Sequence, residues 1–283
     1  MPTASSSRLA GSVVVLAVAF AACGKKDDKK SDAATASTLT VPAAGTLSVD
    51  SKVAGSGSGI GTLAAALTTS SANNHTAAAV ILALTDVYVG AHLAIPVALL
   101  GRAAQETAKP QADGTYLWSY DITAAGVKST ANLTGTRTGD AAATWVMDLT
   151  TDPRDDNGCC DKFELLAGAT TDAEKGTWTV DDPTRPKTKT PLFTVDYDYK
   201  SATDKTLNFT IATTRSASER FGKGSYVHYT VDGDTLTLRI RDASETAERT
   251  ITIDATSGAG NQVDPAGTKA CWGAGSAYAD IAC

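Results

Sequence analysis

From Thr115 onward, in runs the last of which is Ile251/Ile253, apolar residues recur at every second position, and this alternation limits the fold more than any other feature of the chain. Tyr116, Trp118, Tyr120 and Ile122 alternate with Thr115, Ser119 and Asp121. The period returns in Trp145/Met147/Leu149, Phe163/Leu165/Ala167 and Trp178/Val180, and again in Leu207/Phe209/Ile211, Leu236/Leu238/Ile240 and Ile251/Ile253. A period of two puts these side chains on one face of a strand, and the Thr, Asp, Asn, Lys and Arg between them on the other. Turn signals separate the runs: Asp113-Gly114, Gly139-Asp140, Lys175-Gly176, Gly222-Lys223-Gly224 and, most specific, Asp232-Gly233 between two alternating segments. The pattern predicts about ten strands. A parallel crossover needs about a dozen or more connecting residues, usually helical. No helical pattern interrupts the runs, so the expected sheet is an antiparallel meander spanning 111–283.

One apolar face of such a sheet must be covered. The segment 62–110 supplies helices for this purpose. Ala64, Ala65, Ala66 and Leu67 read as a short helix, and Thr76 as the cap of a second that runs from Ala77 to about Leu93. Pro96 then suits the first position of a further helix, Val97–Ala104. Val80, Ile81, Leu84, Val87, Tyr88 and Ala91 nearly encircle the middle helix, so it is expected to be buried on most sides. Asp86, Gly90, His92 and Pro96 argue against reading it as a membrane span. The expected fold is mainly β: a curved antiparallel sheet, a half- or near-closed barrel, packed on one or two helices in a single domain, 62–283. In outline this resembles the bacterial lipoprotein carrier and receptor folds.

The N-terminus has a different character. Val13-Val14-Val15-Leu16-Ala17-Val18-Ala19-Phe20 follows Arg8 and ends on Ala21-Ala22-Cys23. This apolar run is shorter than the roughly 20 residues a spanning helix needs and matches the core of a secretory signal, 1–22. Phe20-Ala21-Ala22-Cys23 resembles the lipobox of bacterial lipoproteins, with Phe20 where Leu is usual. The resemblance implies cleavage before Cys23 and attachment of diacylglycerol and fatty acyl chains such as palmitate to that cysteine. The partners it implies are a membrane, reached through the lipid, and another envelope component. By resemblance to enterobacterial lipoproteins, Gly24 rather than Asp after the cysteine implies the outer membrane. Residues 23–61 read as a lipidated cysteine followed by a disordered tether, from the charged KKDDKKSD to the Gly/Ser-rich VAGSGSGIG. Unfolded, such a segment has an r.m.s. span of about 35 Å.

The five cysteines are Cys23, Cys159, Cys160, Cys271 and Cys283. Lipidation of Cys23 accounts for the odd one, and export allows the other four to form disulfides. Cys271–Cys283 with Cys159–Cys160 is the favoured pairing. The alternative joins Cys159 and Cys160 each to a tail cysteine.

No constellation of catalytic residues emerges. His75, His92 and His228 share no spacing, and Gly55-Ser56-Gly57-Ser58-Gly59 lies in the tether rather than on a strand–turn–helix elbow. Asp196 and Asp198 share one strand face, about 6–7 Å apart, and read as solvated charges. The acidic turn from Asp152 to Gly158 lacks EF-hand spacing. Removing residues 1–22 takes only Arg8 from a basic count of 25 against 31 acids, leaving a net charge of −7 that does not favour nucleic acid. No enzymatic activity, metal or cofactor is expected. The function expected is a lipid-anchored structural or interaction module. A second expectation is a carrier that shelters a lipid in an apolar pocket formed by Trp118, Tyr120, Trp145, Met147, Trp178 and Phe209.

Overall fold

Among the described residues fourteen strands join neighbour to neighbour in chain order, as alternation with short turns demands. The computed structural model describes residues 39–47, 73–124, 127–152, 162–172, 174–183, 188–214, 221–275 and 278–283. The strands are β1 (Lys109–Pro110), β2 (Tyr116–Ala124), β3 (Val127–Arg137), β4 (Ala143–Asp152), β5 (Phe163–Thr170), β6 (Lys175–Asp181) and β7 (Pro191–Ser201). They continue as β8 (Asp204–Ile211), β9 (Tyr226–Asp232), β10 (Thr235–Arg241), β11 (Arg249–Asp254), β12 (Gly260–Val263), β13 (Lys269–Trp272) and β14 (Asp280–Ile281). Every pairing is antiparallel. The expected class holds, with more strands than the alternation alone marked, because β1, β12, β13 and β14 are too short to show a period. The β9–β10 turn is the Asp-Gly hairpin, and Gly233 takes φ +58, a left-handed conformation that suits glycine.

Among the described residues one α-helix, α1 (Asn74–Ala103), packs on the sheet. Asn73 caps it rather than Thr76: its Oδ1 accepts from the Thr76 N–H at 2.8 Å and from the Thr76 hydroxyl at 2.7 Å. Pro96 lies inside α1 and does not begin a new helix. Proline removes one intrahelical bond, but Leu99, Leu100 and Ala103 beyond it are buried, and their packing carries the helix through. The expected helix at 64–67 lies outside the described residues.

The helix runs across the strands as a chord. His75, near its start, lies edge-on to Trp272 of β13 at 5.8 Å, while the Leu99 carbonyl accepts from the Tyr120 hydroxyl of β2. Between them, Tyr88 and His92 meet Phe209 of β8. Eleven strand spacings separate β2 from β13, about 53 Å of sheet at about 4.8 Å each. The helix between His75 and Leu99 is only about 36 Å long at 1.5 Å per residue. The sheet must therefore bend around α1 into a half-barrel, and it does not close.

Trp145, Trp178 and Trp272 show how the bent sheet is filled. Each stands directly across from a glycine on the neighbouring strand: Gly135, Gly168 and Gly260. A Cβ at Gly168 would sit 2.3 Å from the Trp178 ring, and one at Gly260 2.5 Å from the Trp272 ring. The glycines leave room for an indole to lie over the backbone, and the indole shields the pairing that glycine alone would weaken. Gly176 is a related case. Expected at a turn, it lies inside β6 opposite Tyr197, where a Cβ would crowd the Tyr197 ring at 3.1 Å.

Two further details differ from the sequence reading. A register shift between Met147 and Asp148 lets both Leu165 and Leu166 be buried, so the β5 inward set changes phase and Ala167 is not part of it. Within the stretch read as tether, Leu39, Val41 and Leu47 are buried in the core, and Ala44–Leu47 forms one 3-10 turn. Leu39 sits in the notch at Gly135 between Trp118 and Trp145. Three apolar side chains in nine residues offset the ordering cost, although the surrounding Thr and Ala masked them in the composition.

Candidate functional site

The outer face of α1 is the main surface feature not accounted for by folding. His75, Ala78, Leu82, Thr85, Val89, Leu93, Pro96, Leu100 and Ala103 form one buried stripe toward the sheet. On the opposite side lies a second apolar stripe, with Leu84, Val87 and Ile95 exposed by 43, 49 and 59%. Ala91 and Ala94 continue it, also exposed. The sequence reading had this helix buried on most sides, but one helix in a half-barrel can bury only the flank that meets the sheet. By length and composition α1 could cross a membrane, yet its buried flank is packed on the strands. The missed signal was spacing: Val80, Leu84, Val87, Ala91, Ala94 and Ala98 recur strictly by fours and threes with no charge among them.

Beside this stripe, a groove of about 250 Å³ lies between α1 and strands β6 and β7, lined by His92, Ile95, Pro96, Val180, Leu192 and Phe193 among others. His92 Nδ1 donates to the Tyr88 carbonyl at 2.8 Å, and its ring contacts Phe193 and Phe209 edge-on. This histidine is an aromatic packing element with its polar atom turned to its own helix.

The N-terminus of α1 is held by the chain's last residues. Cys271 and Cys283 form a disulfide with Cα atoms 5.4 Å apart, as the spacing led us to favour. Inside that loop Asp280 Oδ1 accepts from the Asn74 N–H at 2.8 Å, and the Tyr278 carbonyl accepts from Asn73 Nδ2. The Asn74 side chain donates to the Cys271 carbonyl, and Trp272 Nε1 donates to the Gly258 carbonyl. His75 stacks on Tyr278 with ring centroids 3.8 Å apart. Cys159 and Cys160 lie outside the described residues.

Burial holds the His75 imidazole below its usual range, and Nε2 is buried without a hydrogen-bond partner. A proton there would also face the positive end of α1. His228 is displaced the same way, by burial first and then by Arg239. Both groups bind protons more weakly folded than unfolded. Their contribution is therefore complete above about pH 6.5 and is lost as pH falls through the lowered folded values. We expect the urea midpoint to drop between pH 7 and pH 5, and His75→Phe to make that drop shallower; an undiminished slope would exclude His75 as a cause.

The remaining candidates are dispersed. His228, on the outer face of β9, stacks on Tyr226, whose hydroxyl donates to Glu248 at 2.7 Å; Glu248 also accepts from Arg239 Nε. His75 and His92 lie on the opposite side of the sheet, along α1. Asp196 accepts from the Thr177 hydroxyl at 2.6 Å and Asp198 pairs with Lys175 at 3.1 Å, so each carboxylate has its own cross-strand partner. These four residues border an open trough of about 560 Å³. The sequence reading also passed over Asp181 and Asp182, both buried at the end of β6. Burial raises the Asp181 carboxyl, as does nearby Glu164, while Lys189 opposes them. Among the described residues no three His, Cys, Asp or Glu side chains gather as a metal set. Trp118, Tyr120, Trp145, Met147, Trp178 and Phe209, expected around an apolar pocket, are all buried, and none lines the groove or the trough. The acidic turn beyond Asp152 and the proposed lipid site Cys23 lie outside the described residues. No protein-family model, curated protein or solved structure matches this chain.

Proposed function

We propose that this protein is a lipid-anchored, non-enzymatic interaction module of the bacterial outer membrane, and that it meets its envelope partner through the outer face of α1. One observation carries the interaction reading: an uncharged apolar stripe faces solvent on a helix whose other flank is already fixed by the sheet. Exposed apolar patches of this kind mark interaction surfaces. The lipid anchor rests on Phe20-Ala21-Ala22-Cys23 and the apolar run before it. With Leu39 in the core, the chain from Cys23 reaches at most about 55 Å at full extension, which keeps the domain near the lipid surface.

The carrier reading has less support. The six side chains expected to line its cavity are all buried within the one hydrophobic core that α1 shares. The groove beside His92, at about 250 Å³, is smaller than the roughly 300–1,000 Å³ of typical ligand sites.

The test is metabolic labelling with radioactive palmitate, followed by chemical cross-linking of intact envelopes, where the membrane still confines the protein, and denaturing electrophoresis. Wild type is expected to carry label and migrate above the mass of one chain. Cys23→Ser should lose the label, and Leu84→Asp should keep it but migrate as a single chain. Unlabelled wild type would overturn the anchor, and wild type migrating alone would overturn the interaction reading.

A further inference from the structure

We propose that the partner on α1 is a second copy of this chain, with the two helices packed antiparallel about a two-fold axis near Val89 and Gly90. This identifies the partner of the surface proposed above and rests on that reading. Val80, Leu84, Val87, Ala91, Ala94 and Ala98 follow the alternating four–three spacing of a coiled-coil seam. The middle four are exposed, and Val80 and Ala98 are half-buried at the ends.

Residue size along the seam selects the orientation. Its N-terminal half is bulky (Val80, Leu84, Val87) and its C-terminal half is small (Ala91, Ala94, Ala98). An antiparallel two-fold pair sets Val80 against Ala98, Leu84 against Ala94 and Val87 against Ala91, and each contact occurs twice, as an isologous interface requires. Every bulky side chain then meets a small one, which is how close-packed interfaces avoid voids. Parallel pairing would put Leu84 on Leu84 and leave the alanine half loose. Asp86 is the one charged residue from Asn74 to Gly101, so no like charges face each other along the seam itself.

The area fits a pair that depends on its setting. From Val80 to Ala98 the seam is about 27 Å long. One flank of a helix that long buries roughly 400–500 Å² per side, close to the lower limit of about 1,000 Å² in total for a specific interface. Such a contact is weak between free molecules. Confinement to one membrane raises the effective concentration of the second copy and makes the weak contact sufficient. A bilayer surface is a less suitable occupant. Interfacial helices set a basic polar face against their apolar one, and here the opposite face is buried in the protein.

The test places photo-reactive benzoylphenylalanine at Val87 of the full-length protein in intact cells, with a control at Asp121 on the outer sheet face. The expected product is an adduct of twice the chain mass whose cross-link maps near Ala91 of the other copy, with little product from the control. Leu84→Asp, a change at an exposed position, should lower its yield at least tenfold without lowering the amount of protein. An adduct with a different protein, or with lipid, would overturn the paired-copy inference and leave the α1 surface as the interaction site. An adduct within one chain, or none, would overturn both.

Discussion

Gly168→Ala is expected to lower the unfolding free energy by about 3 kcal/mol, a large effect for one added methyl group. The new Cβ would lie 2.3 Å from Cε3 of Trp178, and Trp178 is fully buried and has nowhere to turn. Trp178→Ala alone should cost about 4 kcal/mol through the lost burial and the cavity left behind. The informative result comes from combining the two. Once the indole is gone, the methyl at 168 enters the vacated space, so the second substitution should cost far less than it does alone. Equilibrium guanidinium unfolding of the four proteins measures the coupling. If Gly168→Ala costs the same in both backgrounds, the Thr177 carbonyl, 2.8 Å from the same Cβ, is responsible instead of the ring. Gly135 with Trp145 and Gly260 with Trp272 are arranged alike, so the outcome bears on how the whole half-barrel is filled.

Replacing Cys271 and Cys283 with serine is expected to cost about 3 kcal/mol through the freed unfolded chain. A second effect should be local. The loop they close carries Asp280 and Tyr278, which hold the first turn of α1. Hydrogen exchange should therefore show protection lost at the start of α1 and at β13 before it is lost in the central strands. Stability lost with the first turn of α1 still protected would mean that the bridge acts only on the unfolded chain. The result also bears on function, because the seam proposed for pairing lies on this helix, and a helix loose at one end presents it less well.

Most of the sheet was legible because its evidence is local. Where a strand lies between one buried face and one wet face, each residue records its own side, as Leu207, Phe209 and Ile211 do. The reading failed where a neighbour changed the rule. The β-bulge opposite Met147/Asp148 places the extra residue, Leu165, in β5 and shifts the phase of that strand, and two adjacent leucines do not by themselves say where the new phase begins. Gly176 looked like a turn because glycine favours turns, and it is the Ala169 carbonyl, Thr170 and the Tyr197 ring crowding its Cα that explain a glycine in this strand. Leu39, Val41 and Leu47 read as tether because composition averages over a window, while burial depends on Leu39 meeting a notch formed by distant residues and on Val41 and Leu47 joining the same core.

The candidate site was less legible than the fold. An apolar helix has the same sequence whether it is enclosed or half exposed, since periodicity reports which residues are alike and not how much surface the protein can offer them. The chain by itself determined the antiparallel meander, the position of the helix and the pairing favoured for Cys271 and Cys283, all of which depend on residues near one another along the chain. Tertiary structure alone decided that the curved sheet expected around the helix stays open, that the aromatic side chains expected at a pocket line neither the groove nor the trough, and that one flank of α1 faces solvent. These outcomes depend on closure, and closure is set by how eleven strand spacings fit around a helix of fixed length.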